Sequence, residues 1–343
     1  MSNTYLAFDI GTRNLHLVEG QISGTTVKIF NSTVVELTRG TIKDGLITNQ
    51  EALSLAMQTA LDRIAVSSRK VIITINANSV IIREFTIPAG DPQELTAMIN
   101  SEITQYFGIS EGDLVEYRKI AEFEENGQQK VKVRVAVLNR EIAENYLNLL
   151  EDLGLEPVAL DIHPNVISKL FSGQPIINGD SLEEESYILL DIGYSGSMIY
   201  LLSQGSLDFF RAIGFGGKVI DSRLASLLTM SEEEAENKKL EYLSGTSIQE
   251  DNEILTAIRP LYGDLLEELR KVVQYFQSRS GGKALKKIYL MGGGAPLTGL
   301  APYLARGLSF EVQQLQRLNT IQLQDNQPAL GTIVNAAGAL IRL

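Results

Sequence analysis

The sequence of 343 residues contains no cysteine and only two histidines. Without cysteine there can be no disulfide bonds and no thiolate metal sites, which fits a cytoplasmic protein. His16 and His163 are too far apart for an HExxH zinc site, and no Ser-His-Asp triad is evident. A GxxxxGKS/T phosphate loop and a GxGxxG fingerprint after a strand are also missing. Several common enzyme classes are therefore excluded.

The chain also has little positive charge and no long apolar run. Its net charge of −12 argues against general binding to nucleic acid or adsorption to anionic lipid. No stretch approaches the ~18 apolar residues needed to span a bilayer. Asp9 and Arg13 interrupt the start of the chain, so no signal peptide is predicted. We expect a cytoplasmic protein whose length and 44% hydrophobic content support two domains or one large divided domain.

One short motif occurs twice, as Asp9-Ile10-Gly11-Thr12 and Asp191-Ile192-Gly193-Tyr194. Each copy closes one apolar run and precedes another, which predicts a strand, a tight turn and a second strand. Glycine lets the backbone approach a ligand closely, and turn amides can point at phosphate oxygens. An aspartate beside phosphate makes sense if a hydrated divalent cation lies between them. Either motif alone is more often a plain turn, but the repeat predicts a two-sided clamp for a nucleotide phosphate tail.

Two glycine-rich segments follow in the second half. Gly214-Phe215-Gly216-Gly217 precedes a predicted helix at 218–228, where it forms either an anion site or a flexible turn. The predicted strand 287–291 runs into Gly292-Gly293-Gly294, and three glycines there indicate backbone pressed against a flat ligand.

Hydrophobic periodicity predicts a mixed α/β organisation. Residues 78–156 read as a self-contained β-α-β-β-α unit, in which Asp91 and Glu94 cap a helix that begins at Pro92. Such a module fits binding at least as well as catalysis. The other predicted elements are strands at 5–10, 15–20, 26–36 and 70–75 and helices at 49–64, 231–242, 260–277 and 328–343.

The chain has a hairpin motif, an insertion, a second hairpin motif, a glycine-rich helix start, three glycines after a strand and a C-terminal helix, in this order. This order resembles that of the actin-like ATPase superfamily along essentially the whole chain. Within it the chain is most similar to the PilM family of type IV pilus assembly proteins, relatives of the division protein FtsA. The resemblance rests on residues 9–12, 155–161, 191–193, 210–217 and 291–295. It implies an α/β fold of two actin-like domains with ribonuclease H-like halves, and an inserted β-α-β-β-α subdomain in the first domain.

The resemblance also implies subdomain boundaries. The first core subdomain comprises 1–77, 157–186 and the C-terminal helix 328–343, with 78–156 as an inserted partner-binding subdomain. The second core subdomain comprises 187–217 and 286–327, and 218–285 forms a smaller subdomain bordering the nucleotide.

ATP with Mg is the implied ligand of the cleft between the domains, with Asp9 and Asp191 at the metal through water. Glu236 and Lys239 would border the adenine and ribose, or else form an ordinary solvated helix face. The remaining implied nucleotide-binding residues are Gly11, Thr12, His16, Gly193, Ser197, Gly216, Gly217, Gly292, Gly293 and Gly294.

Catalysis is less well specified than binding. His16 stands where many family members have a phosphate-binding lysine, and we favour a half-buried strand residue there. Hydrolysis needs a residue that orients the attacking water, and Asp161 is only a guess for this role. We expect at most a slow ATPase.

The implied partner is the cytoplasmic N-terminal segment of the inner-membrane protein PilN, bound between the first domain and the inserted subdomain. The strand at 79–87 and the helix at 92–107 are the candidate walls, and the peptide binds either as an added strand or in a groove. The partner would then recruit the chain to the inner face of the cytoplasmic membrane. Two alternatives stay open at this point: a small-molecule kinase of the same superfamily and a filament-forming actin-like protein.

Overall fold

A computed structural model describes residues 4–24, 26–76, 80–107, 112–182, 185–244, 253–281, 283–324 and 327–342. Its strands are β1 (Thr4–Ile10), β2 (Asn14–Ser23), β3 (Thr26–Glu36), β4 (Ile42–Lys43), β5 (Leu46–Ile47), β6 (Lys70–Ile75), β7 (Ile81–Pro88), β8 (Leu114–Glu125), β9 (Gln128–Leu138), β10 (Glu156–Ile162), β11 (Ile176–Ile177), β12 (Asp180–Ser181), β13 (Ser186–Ile192), β14 (Ser197–Ser203), β15 (Ser206–Ile213), β16 (Leu285–Met291), β17 (Glu311–Gln314) and β18 (Ile321–Leu323). Its helices are α1 (Gln50–Ile64), α2 (Pro92–Phe107), α3 (Arg140–Asp152), α4 (His163–Leu170), α5 (Gly217–Leu228), α6 (Glu232–Ser244), α7 (Glu253–Arg279), α8 (Leu300–Leu308) and α9 (Leu330–Ala339).

Two sheets form the two halves of the molecule, and both contain the repeated hairpin. The first sheet has the order β10-β6-β1-β2-β3-β18 and the second has the order β15-β14-β13-β16-β17. In each, the motif strand pairs antiparallel with the next strand and parallel with a later one. In the parallel pairings, Asp9 is the register partner of Thr74, and Asp191 is the register partner of Met291. The carboxyl ends of these strands therefore lie at the same edge of each sheet.

The main core lies between the sheets and includes α4 and α9. Strands β1 and β13 are buried almost throughout, which explains why their sequences are continuous apolar runs without alternation. Helix α9 is composed largely of small residues and is buried along nearly its whole length, so the two halves approach closely at this helix.

The inserted segment follows the predicted order, but its last helix packs elsewhere. Strands β7, β9 and β8 form a three-stranded sheet, and α2 begins with the predicted cap, in which Asp91 accepts hydrogen bonds from the Gln93 and Glu94 amides. Helix α3 instead buries its apolar face in the core of the first sheet, and Tyr146 donates to the Gly45 carbonyl at 3.0 Å. The self-contained unit therefore ends at β9.

The C-terminal region also departs from the predicted boundaries. Strand β18 pairs in parallel with β3, so residues 321–323 belong to the first sheet although we assigned 286–327 to the second core. Helices α4 and α8 had not been predicted. Helix α7 begins at Glu253 rather than at Pro260, which lies inside it.

Candidate functional site

A cleft of about 210 Å³ lies between the two sheets, at the ends of β1 and β13. Its lining includes most of the residues that sequence reasoning had proposed for the nucleotide: Asp9, Gly11, Thr12, His16, Asp191, Gly193, Gly217, Glu236, Lys239, Gly292, Gly293 and Gly294. Residues more than 300 positions apart in sequence, such as Asp9 and Asn335, meet in this cleft.

An acidic pair and a histidine form the centre of the cleft. His163, the first residue of α4, has Nε2 at 2.8 Å from Asp9 Oδ1 and Nδ1 at 4.0 Å from Asp191 Oδ2. Asn335 of α9 donates to Asp191 Oδ2 at 2.9 Å. On the other side, His16 Nδ1 lies 3.5 Å from Asp9 Oδ2. Two carboxylates and the ring between them are thus held in a cluster to which five different elements contribute.

The electrostatics of this cluster favour the protonated form of His163. Burial alone would lower the pKa of His163, but the neighbouring carboxylates, Asp9 first, raise it above its usual value. Burial would likewise raise the pKa of Asp9, yet His163 and His16 hold that pKa well below its ordinary range. The pKa of Asp191 is raised by burial, against the opposing effects of His163 and Asn335. Asp9 is therefore the firmly ionised member of the pair.

The cluster suits a cation that is held mainly by water and phosphate. Among the described residues there is no group of three or more His, Asp or Glu side chains arranged to hold a metal ion directly. Magnesium commonly binds through one or two carboxylates, several waters and the phosphates of its nucleotide. The buried Asn335 Oδ1, a hydrogen-bond acceptor, has no partner among the described residues. The site therefore fits hydrated magnesium better than a direct protein cage.

The two hairpin turns need glycine for their own geometry. The Gly11 amide donates to the Asn14 carbonyl at 3.0 Å, and the Gly193 amide donates to the Gly196 carbonyl at 3.1 Å. A Cβ at either glycine would lie within 3 Å of that same carbonyl oxygen. These two amides are already used within the turns, so phosphate would have to be bound by other groups of the hairpins.

Only the middle glycine of Gly292-Gly293-Gly294 faces open space. Gly292 has a φ of +81°, and a Cβ there would overlap the Asp191 carboxylate and lie 2.6 Å from the Ile192 carbonyl oxygen. A Cβ at Gly294 would overlap the Ile192 side chain. At Gly293 no described atom lies within 4 Å of the corresponding position. Two of the three glycines thus serve close packing of the protein, and Gly293 alone is open to a ligand.

Glu236 and Lys239 of α6 are buried at the mouth of the cleft, with exposed fractions of 5% and 6%. Arg13 donates to both Glu236 carboxylate oxygens, at 2.9 and 2.8 Å, and Arg39 donates to Oε2 at 2.8 Å. Burial would raise the pKa of Glu236, but the two arginines lower it. Because both arginines belong to the first half of the chain, this contact closes the cleft between the two halves.

Lys239 makes a different kind of contact in the same helix. Its Nζ lies 2.6 Å from Asp221 Oδ1 and 5.9 Å from the centre of the Tyr194 ring. Asp221 is fully buried, and the ion pair fixes the lysine behind the second hairpin. Lys239 and Glu236 therefore do not form an ordinary solvated helix face.

Three proposed site residues lie outside the lining of this cleft. Ser197 uses its hydroxyl to donate to the Phe215 carbonyl at 2.6 Å. Gly216 lies behind the second hairpin, where a Cβ would approach the Tyr194 carbonyl oxygen to 2.6 Å. Asp161 accepts from Lys169 at 2.6 Å and lines a separate groove. The structure thus gives Asp161 no position beside the acidic pair.

That groove, with a volume of about 840 Å³, lies between the first sheet and the inserted sheet. Side chains alternate along a strand, so Val131, Val133 and Val135 of β9 pack on α2 while Arg134, Ala136 and Leu138 face the groove. Of the two walls that we predicted, the strand β7 contributes through Ile82. Helix α2 covers the opposite face of the inserted sheet; β8, β10 and α4 complete the groove.

The family is decided by a match along nearly the whole chain. The sequence model of the family described as type IV pilus assembly protein PilM matches residues 7–335. The chain belongs to the PilM family. The family predicted from the motifs is therefore confirmed.

Solved structures show the same fold. A PilM-PilN type IV pilus biogenesis complex contains a chain with 22% identity and a TM-score of 0.81; the match covers 98% of this chain and 97% of that one. The ethanolamine utilization protein EutJ from Carboxydothermus hydrogenoformans has 16% identity, a TM-score of 0.58 and coverage of 99% and 90%. MreB 5 of Spiroplasma citri bound to AMPPNP has 12% identity, a TM-score of 0.53 and coverage of 98% and 95%. These likenesses confirm the predicted actin-like fold of the PilM family.

Several residues of the cleft had not been proposed from the sequence. His163 follows the largely apolar segment 158–162, which contains Asp161, and precedes a proline; this is a recognisable strand-to-helix junction. Asn335 is a polar residue within the small apolar stretch Val334-Asn335-Ala336-Ala337, and such an isolated amide signals a specific partner. Arg13 and Arg39 carry no comparable local signal.

No described helix combines the length and the hydropathy needed to cross a membrane.

Proposed function

We propose that this chain is a nucleotide-binding adaptor of type IV pilus assembly. It would bind the cytoplasmic N-terminal segment of the inner-membrane protein PilN in the groove, and ATP with Mg in the cleft. The observation that carries the adaptor role is the groove itself, an opening of about 840 Å³ between the first sheet and the inserted sheet of a PilM-family chain. In this proposal the chain is cytoplasmic, and the partner recruits it to the membrane.

The groove has the features that an extended peptide requires. Its walls carry apolar side chains, among them Ile82, Leu114, Leu138 and Leu160. Strand β10 is the last strand of the six-stranded sheet, so its outer edge pairs with no described strand. An exposed edge of this kind can accept an added strand, while alternate peptide side chains enter apolar pockets. Both modes of peptide binding remain compatible with this shape.

Binding of a PilN peptide from the same organism tests the adaptor proposal. An Ile82→Arg variant should weaken binding by roughly tenfold or more, about 1.4 kcal/mol, because it places a charge on the apolar wall. Leu55→Arg is the matched control, since Leu55 is 70% exposed on α1. Fluorescence anisotropy would measure both, with circular dichroism to verify folding. Failure of the peptide to bind the wild-type chain would refute the adaptor role.

The nucleotide proposal rests on how the cleft combines charge, open backbone and apolar surface. Magnesium would neutralise the phosphates beside Asp9 and Asp191, held through water. Gly293 leaves room for the nucleoside, and Leu240, Leu243 and Leu297 supply apolar surface in the same cleft. Apart from Asp9 and Asp191, the one described carboxylate in the cleft lining is Glu236, which is held by Arg13 and Arg39. Asp161 lies in the groove instead. We therefore propose binding with slow turnover at most.

Thermal unfolding with and without Mg·ATP tests the nucleotide proposal. A ligand that binds only the folded state adds about 2.7 kcal/mol of stability at a hundredfold excess over its dissociation constant. We expect such a rise for the wild-type chain and its loss in Asp191→Ala. Asp180→Asn is the control, because Asp180 lies outside the cleft, beside Lys287 and Tyr289. An unchanged midpoint for folded wild-type protein at millimolar Mg·ATP would contradict nucleotide binding.

A further inference from the structure

The groove is positively charged although the whole chain carries a net charge of −12. Its lining contains more basic residues than acidic ones. The basic members are Arg118, Lys119, Arg134, Lys169 and Arg342, and the acidic members are Glu116 and Asp161. A basic opening in an acidic protein indicates a ligand that carries negative charge.

Three of these five cations already have acidic partners. Lys169 lies 2.6 Å from Asp161, Arg134 donates to Glu84 at 2.8 Å, and Lys119 lies 3.0 Å from Glu122. In the part of the chain that the structure describes, neither Arg118 nor Arg342 forms an ion pair. The free positive charge of the groove is therefore concentrated on two guanidinium groups.

These two arginines act on the same part of the groove. Arg118 lies on β8, and Lys169 of α4 donates to the Ile341 carbonyl at 2.7 Å, which fixes the backbone next to Arg342. Burial lowers the pKa of Lys169, and the charges of Arg342 and Arg118 lower it further, against the effect of Asp161. Both arginines are thus close enough to Lys169 for their charges to act on it, and both line the groove.

Asp161 is not available to neutralise the arginines. It accepts hydrogen bonds from Lys169 and from Asn165, the latter at 2.8 Å, and also from the Ile162 amide. Its carboxylate oxygens are therefore occupied by donors of β10 and α4. An additional carboxylate from outside the chain would meet two unpaired guanidinium groups.

We propose that Arg118 and Arg342 form a carboxylate-recognition site at one end of the groove, occupied by an Asp or Glu side chain of the bound peptide. This inference rests on the proposed adaptor function and names the chemistry that selects the peptide. Guanidinium groups bind carboxylates through paired, charge-assisted hydrogen bonds. Because both arginines are exposed, the contribution is modest and depends on salt.

The test is a binding titration of the PilN peptide against four proteins: the wild type, Arg118→Gln, Arg342→Gln and, as control, Arg223→Gln. Arg223 is an exposed arginine on α5 in the other half of the chain. Each groove variant should weaken binding roughly three- to tenfold and reduce its salt dependence, as expected for a partly exposed charge-assisted pair. The control variant should bind like the wild type.

Matching peptides identify the carboxylate. Each Asp or Glu of the peptide is changed singly to its amide, and one of these changes should weaken binding to the wild type but not to the Arg118→Gln, Arg342→Gln double variant. If no acid-to-amide change alters the affinity of the peptide, or if the binding segment contains no acidic residue, the carboxylate site is refuted. The adaptor role is not affected by either result. A peptide that fails to bind the wild type overturns both.

Discussion

A Lys239→Met variant is expected to be less stable than the wild type by about 3–5 kcal/mol at neutral pH in the absence of nucleotide, the range found when one partner of a buried ion pair is removed. Lys239 is the sole described partner of Asp221, which is fully buried. The second carboxylate oxygen, Oδ2, has no hydrogen-bond partner among the described residues. The substitution therefore leaves a buried carboxylate without its ion-pair partner. Urea denaturation would measure the difference.

The loss of stability should shrink as the pH falls. Burial already raises the pKa of Asp221 in the folded chain, and Lys239 opposes that rise. Without the lysine the folded-state pKa goes higher, so below it the folded state binds a proton that the unfolded state does not yet bind. Stability then increases on acidification between the folded-state pKa and the unfolded value of 3.8. A deficit of equal size at pH 7.5 and pH 5.5 would contradict this explanation.

Two further variants separate the ion pair from general effects of removing a lysine. Lys271→Met removes an exposed partner of Glu268, and such surface pairs contribute only about 0–1 kcal/mol. A double variant, Asp221→Leu with Lys239→Met, should regain most of the stability, because apolar residues of similar volume often replace a buried pair without loss. A double variant as unstable as Lys239→Met alone would point to lost packing instead.

Local patterns in the sequence were sufficient to predict several elements of the fold and the two hairpins of the cleft. The repeated hairpins, the Asp91 cap and strand β6 follow from runs of a few residues, and the structure shows them at the predicted positions. The alternation of β9 even separates the residues that face α2 from those that face the groove. Such features depend on neighbours in the chain, which is why they can be read from it.

Contacts between residues that are far apart in the sequence could not be predicted from local patterns. Arg13 and Glu236 are 223 positions apart, and nothing near either residue indicates the other. Helix α3 has an amphipathic pattern that fits several surfaces, and only the tertiary structure shows that it packs on the first sheet. The position of Ser197 depends on β15, because its hydroxyl bonds to Phe215 beyond that strand. Contacts of this kind are determined by the tertiary structure and not by neighbouring residues in the sequence.

Substitutions at two of the three consecutive glycines distinguish a residue that stabilises the fold from one that leaves room for a ligand. Gly292→Ala is expected to destabilise the chain by about 2–4 kcal/mol, since it adds a left-handed alanine and an overlap with packed protein atoms. At φ +81°, the new Cβ would overlap the Asp191 carboxylate and the Ile192 backbone. Urea denaturation without nucleotide measures this loss, and stability equal to that of the wild type would contradict the geometry.

Gly293→Ala is the matched variant one residue away. Gly293 does not have a positive φ angle, and no described atom would touch the new methyl group. We expect unchanged or slightly higher stability, by up to roughly 0.4–1 kcal/mol, because alanine restricts the unfolded chain. Mg·ATP binding, measured by calorimetry, should instead weaken by roughly tenfold, about 1.4 kcal/mol, if the nucleoside passes against this backbone. Wild-type affinity in Gly293→Ala would mean that the nucleotide lies elsewhere in the cleft, whereas a loss of stability would mean that this glycine, too, serves the fold.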